Sequence, residues 1–88
     1  MKYRVLWSPY SEERLEQLVK SAPDADVIAI AVRQIDQNLI ASPNSFGESR
    51  YDNERIGFVR PLAVHFEVMD DVWTVVVYDV WRTDRKRS

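Results

Sequence analysis

The clearest pattern of hydrophobic and polar positions runs from Leu62 to Val68. Successive side chains of an extended chain point to opposite sides, so Leu62, Val64, Phe66 and Val68 share one face and Ala63, His65 and Glu67 the other. After an acidic break at Asp70 and Asp71, the run Val75, Val76, Val77, Tyr78 and Val80 leaves almost no polar face. A strand apolar on both sides calls for cover on both sides, as a central strand has. Residues 60–81 therefore predict a β-hairpin in the middle of a sheet. The break holds neither Asn-Gly nor Asp-Gly, so its turn type stays open.

The rest of the chain supplies the cover. Tyr3, Val5 and Trp7 alternate weakly and predict an opening strand. Ser8-Pro9 is a helix start, a serine cap followed by proline at the first helical position. Leu15, Leu18 and Val19 continue it as a modest apolar stripe to about Lys20, and Pro23 breaks it. A second helix begins at Asp24 or Asp26 and runs to about Ile40, with Val27, Ile28, Ala31, Ile35 and Leu39 in helical period. Residues 41–53 carry loop chemistry throughout, and residues 55–59 predict a short strand leading into the hairpin. The expectation is an α+β domain of strand, helix, helix and three strands. Its four-stranded, mainly antiparallel sheet is covered on one face by a helical hairpin.

Composition narrows the class of protein. The chain has 88 residues, 45% hydrophobic and 30% charged, which fits one ordinary globular domain. With no cysteine there is no disulfide framework, thiol nucleophile or cysteine-based zinc site. No apolar run is long enough to span a membrane and no signal-peptide pattern opens the chain, so the expected location is the cytoplasm. The net charge is −2, whereas a domain that grips nucleic acid by itself is usually basic. The charge is uneven, however: Arg82, Arg85, Lys86 and Arg87 crowd the last residues.

Little in the sequence carries catalytic chemistry by itself. His65 is the only histidine, and a metal site would need it together with Glu67; a structural histidine is the ordinary explanation, and no metal or cofactor is expected. Nothing in the spacing pairs His65 with a serine and an orienting acid, and two glycines make no phosphate loop. What remains is a set of arginines. Arg50, Arg55 and Arg60 recur every five residues, and Arg82 and Arg85 follow the last strand. If their ends converge on the sheet face that the helices leave open, their guanidinium forks suit phosphate, with Tyr78, Trp73 and Trp81 as stacking surfaces. Against that, Glu48, Asp52 and Glu54 stand close enough in sequence to pair with the first three.

The whole pattern resembles the RelE/ParE superfamily, the toxins of bacterial type II toxin–antitoxin pairs. The resemblance is carried by Tyr3-Arg4-Val5-Leu6-Trp7-Ser8, the helical hairpin, a loop with Pro43 and Gly47, and Arg55-Ile56-Gly57-Phe58. It continues through Leu62-Ala63-Val64-His65-Phe66-Glu67-Val68 and Val75-Val76-Val77-Tyr78-Asp79-Val80-Trp81-Arg82. It implies a plasmid-stabilisation type of protein, neutralised by a cognate antitoxin and acting on the ribosome and its messenger RNA or on DNA gyrase, with a homodimer also open. In the branch that cuts RNA without metal, basic side chains on the sheet face activate the ribose hydroxyl. Carried over, the resemblance matches Arg55 and Arg60 loosely to that branch's basic pair and Arg82 and Arg85 to its C-terminal basic cluster. With His65 or an arginine in place of the usual general base, the expected catalytic residues are Arg55, Arg60, His65 and Arg82. The arginine and stacking pattern adds Arg50, Tyr78, Trp81 and Arg85 as expected binding residues. Two departures stand out: Ala63 holds a strand position where that branch has an arginine, and no tyrosine or histidine follows Arg85. The alternative expectation is a binding module that keeps the fold without the chemistry.

Overall fold

Ile28, Ala31, Ile35 and Leu39, spaced three or four residues apart, form one buried stripe along a helix. A computed structural model describes residues 2–84. Its elements are β1 (Arg4–Trp7), α1 (Pro9–Ser21), α2 (Ala25–Ala41), β2 (Glu48–Tyr51), β3 (Glu54–Val59), β4 (Leu62–Met69) and β5 (Thr74–Arg82). The α2 stripe packs against Leu62, Val64, Phe66 and Val68 of β4 and Val75, Val77 and Val80 of β5. These are the alternating residues on one face of each strand, so the period-two and period-3.6 patterns meet in a single core. Val27, placed on the apolar stripe by the sequence, is 42% exposed.

The sheet order is β1-β5-β4-β3-β2, with β1 parallel to β5 and all other pairs antiparallel. It thus has five strands where four were expected. The extra strand, β2, lies in the stretch expected to be loop. All four of its residues are exposed. An edge strand with no buried face has no apolar alternation to display, and backbone pairing with β3 alone defines it. The Asp70–Asp71 break closes as a 3₁₀ turn, Asp70–Val72, followed by Trp73 in the left-handed region at φ 50°. Among the described residues no helix is long and apolar enough to cross a membrane.

The hairpin carries a bulge. His65 pairs with Asp79 but Phe66 pairs with Val77, leaving Tyr78 as an extra residue in β5. That insertion explains a sequence with no clean period: Val75 and Val77 face the core, the parity flips, and Val80 faces the core again.

Two polar fixtures set the helices on this sheet. Ser8 caps α1, its hydroxyl accepting from the Ser11 amide at 3.1 Å. The buried Ser11 hydroxyl lies 2.9 Å from the Ser8 carbonyl oxygen and 3.0 Å from that of Val77, tying the helix start to β5. Arg82, at the end of β5, donates to both carboxylate oxygens of Asp24 at the start of α2, at 2.9 and 3.1 Å. Asp24 stands at the cap position of α2 yet makes no capping bond, because its carboxylate faces Arg82 instead.

Candidate functional site

Both helices pack on one face of the sheet, and no described element covers the other. Register places four rows of side chains across that open face. Arg4, Thr74 and Met69 form the first, and Leu6, Val76, Glu67 and Glu54 the second. Asp79, His65, Ile56 and Glu48 form the third, with the bulged Tyr78 beside them, and Trp81, Ala63 and Phe58 the fourth.

The centre of this face holds two histidine- and tyrosine-bound carboxylates. The His65 Nε2 lies 2.7 Å from the Glu54 Oε1. The Tyr78 hydroxyl donates to the Glu67 Oε1 at 2.5 Å, and the His65 and Tyr78 rings are 5.6 Å apart. Glu54 and Glu67 are direct cross-strand neighbours. Like charges in that position repel. His65 and Tyr78 each give one of them a hydrogen-bond partner, which offsets part of the repulsion. The hydrogen bond to Glu67, then burial and the negative charge of Glu67 and Glu54, push the Tyr78 hydroxyl up to about 12. It therefore stays a neutral donor over the whole working range of a cell.

Among the described residues the expected arginine cluster is not on this face. Arg55 stands opposite Phe66, on the helix side, where its guanidinium donates to the carbonyl oxygens of Phe46 at 3.0 Å and Gly47 at 2.8 Å. It holds the loop before β2 in place. Arg82 is also on the helix side, shared between Asp24 and Asp84. Its hydrogen bonds hold both carboxyls below the usual carboxylate range and its own guanidinium still more firmly protonated. Arg50 lies on the edge strand, 3.6 Å from Glu48. Arg60 is exposed in the turn between β3 and β4. Arg85 lies outside the described residues.

Trp81 is half-buried at the border of the open face, beside Arg14, Leu18 and Ser21 of α1. Ala63, between Phe58 and Trp81 in register, is fully buried although it points to the open side. An arginine there would have to displace its neighbours. Of the sequence-derived candidates among the described residues, His65 and Tyr78 meet on the open face, and Trp81 and Arg82 share a pocket beside α1. The residues that sequence reasoning passed over are Glu54, assigned there to an arginine, and Glu67, considered only as a metal partner. The signal for Glu54 was its register opposite Glu67, which depends on strand pairing. Among the described residues no group of three or more histidine or carboxylate side chains is arranged to hold a metal ion.

A second polar knot pins the hairpin tip. The Tyr3 hydroxyl donates to the Asp70 Oδ1, Asn44 donates to the same oxygen at 2.9 Å, and the Tyr3 and Trp73 rings are 4.8 Å apart. The bond with Asp70 raises the Tyr3 hydroxyl, and the same bond, with that from Asn44, lowers the Asp70 carboxyl.

The arrangement of strand, helical hairpin and sheet matches the fold of solved chains from toxin–antitoxin systems. The toxin–antitoxin complex RelBE2 of Mycobacterium tuberculosis contains a chain that superposes with a TM-score of 0.75 at 19% identity, covering 93% of this chain and 99% of that one. A chain of the chromosomal ParDE system of P. aeruginosa gives 0.69 at 13% identity, covering 93% and 97%. The E. coli toxin RelE, in a free-state arginine-to-alanine mutant, gives 0.65 at 16% identity, covering 96% and 86%. No family model and no curated protein matches the sequence. The chain has the RelE/ParE fold at a sequence distance where fold alone is shared.

Proposed function

We propose that the protein is the toxin half of a type II toxin–antitoxin pair, kept silent by a small protein antitoxin in the cytoplasm. The supporting observation is end-to-end agreement of fold with a chain of a toxin–antitoxin complex, at 99% coverage of that chain. Of the two actions that the resemblance implies, docking on a protein target such as DNA gyrase accounts better for the open face than cleavage of messenger RNA. Cleavage without metal needs free basic side chains aimed at a phosphate. Here Arg55 is tied to backbone carbonyls, Arg82 to two aspartates, and Glu54 and Glu67 occupy the middle of the face. A fold alone does not set the target.

Tightly controlled expression in bacteria tests the reading, with protein synthesis and the DNA damage response followed together. The expected result is growth arrest with a DNA damage response, relieved by co-expression of the antitoxin. Arrest with a rapid fall in protein synthesis and cut messenger RNA assigns the protein to the ribonuclease branch instead. In that case His65, the only imidazole in the chain, carries the proton transfer, and His65→Gln abolishes cutting. Normal growth with soluble, folded protein leaves the non-toxic binding module, the reading favoured by the buried Ala63.

A further inference from the structure

The open face of the sheet has a chemistry of its own. Its two central carboxylates, on Glu54 and Glu67, lie directly across from each other on paired strands, with a neutral tyrosine and a histidine as their partners. An ionised carboxylate offers about four acceptor directions, so each keeps capacity that one internal donor leaves unused. No described lysine or arginine makes an ion pair with either. The cations nearest by register sit at the margins: Arg4 is one row away, Arg14 pairs with Asp79 at 3.3 Å, and Arg50 pairs with Glu48. Around the carboxylates lie apolar side chains that water reaches, with Leu6 46% and Phe58 48% exposed. Val76 and Ile56 are half-buried between them.

We infer that this face docks a protein segment carrying lysine or arginine between apolar side chains. The cation bridges Glu54 and Glu67, and the flanking apolar groups cover Leu6, Val76 and Phe58. Charge complementarity selects this occupant. A nucleic acid would bring phosphates against two opposed carboxylates, and an acidic peptide would do the same. A second copy of the chain would set the carboxylates of one face against those of the other. A cation placed between Glu54 and Glu67 removes the cross-strand repulsion that the free protein carries, so docking gains from both the new contact and the relieved one. The inference does not depend on toxicity; a non-toxic binding module uses the face in the same way.

The probe is a synthetic peptide of alternating lysine and leucine, with a glutamate–leucine analogue as control, titrated into isotope-labelled protein and followed by NMR. The expected result is perturbation of β3–β5 signals from the open face by the lysine peptide alone. Affinity should fall about tenfold or more in the Glu54→Gln/Glu67→Gln variant. The glutamine amide oxygens keep an acceptor for Tyr78 and His65, so the variant should retain the wild-type fold. Glu12→Gln/Glu16→Gln, which alters a largely apolar groove between α1 and α2 on the opposite side, should leave the affinity unchanged. If the double variant at the open face does not fold, the perturbed residues and the salt dependence in the wild-type protein decide the matter. The inference is overturned if the lysine peptide perturbs the α1–α2 groove instead, if both peptides bind alike, or if neither binds. Perturbation of the same face by a short RNA also overturns it.

Discussion

Tyr78 shows how much a single extra residue in a strand can change. As the bulged residue of β5 it leaves the core and meets Glu67 and His65 on the open face. Its hydroxyl is raised to about 12, first by the hydrogen bond to Glu67. In the folded protein the Tyr78 hydroxyl should therefore ionise well above pH 10, and Glu67→Ala, which removes both the acceptor and the charge, should bring it down toward the ordinary value, both readable by NMR titration. Because the folded value lies above the unfolded one, the stability linked to Tyr78 is complete below about pH 10 and is lost as pH rises through about 12. Gly47 is a second residue whose identity is dictated locally. It sits at φ +77°, and an added Cβ would run into the carbonyl group of Ile56. Gly47→Ala should cost about 1–3 kcal/mol of stability, measured by denaturant unfolding. That glycine was visible in the sequence as loop chemistry; the carbonyl that forbids a side chain was not, because it arrives from β3.

At the level of elements, legibility followed apolar periodicity. The two helices and the β4–β5 hairpin declared themselves because each buries one face, and their observed bounds lie close to the expected ones. β2 was hidden because an exposed edge strand has no buried face to mark it. The bulge was hidden too, since a run of valines reads the same with or without a parity change. The α2 stripe is the main apolar contribution to the core from the helical layer, so Leu39→Ala or Ile35→Ala should destabilise by about 2–5 kcal/mol, as loss of a fully buried aliphatic side chain does. Arg82 is the polar counterpart, joining β5 to the start of α2. Its hydrogen bonds hold Asp24 and Asp84 below the usual carboxylate range. A depressed carboxyl contributes stability above the unfolded value near pH 4, and that contribution is lost as pH falls through the folded one. Arg82→Gln should lower the thermal midpoint by a few degrees at pH 7, and by less once the pH falls below the depressed folded values, where the aspartates are protonated in both proteins. A purely interfacial Arg82, with no part in joining β5 to α2, would give no such change at either pH.

For the whole molecule, the sequence supplied the charges and the fold decided where they act. A net charge of −2 and a scatter of arginines were compatible with a basic face assembled at one end of a sheet. Strand register prevents that: Arg55 and Arg82 turn toward the helices, while Glu54 and Glu67 turn outward. None of this could be read without knowing which strands pair and where β5 slips by one residue. The consequence is a field across the open face that opposes phosphate. Non-specific nucleic-acid affinity comes from counterions that lysine and arginine displace from the phosphates, and the two carboxylates at the centre of the face displace none. The protein should therefore bind a single-stranded RNA of about twenty nucleotides more weakly than about 100 μM at about 0.15 M salt, the weak end of ordinary non-specific binding. Fluorescence anisotropy of a labelled oligonucleotide measures it directly. Replacing Glu54 and Glu67 together with lysine should strengthen that binding and steepen its salt dependence, because both changes then add cations to the face. Micromolar binding by the wild-type chain, insensitive to those two positions, would place the nucleic-acid surface elsewhere on the molecule and restore the ribonuclease reading.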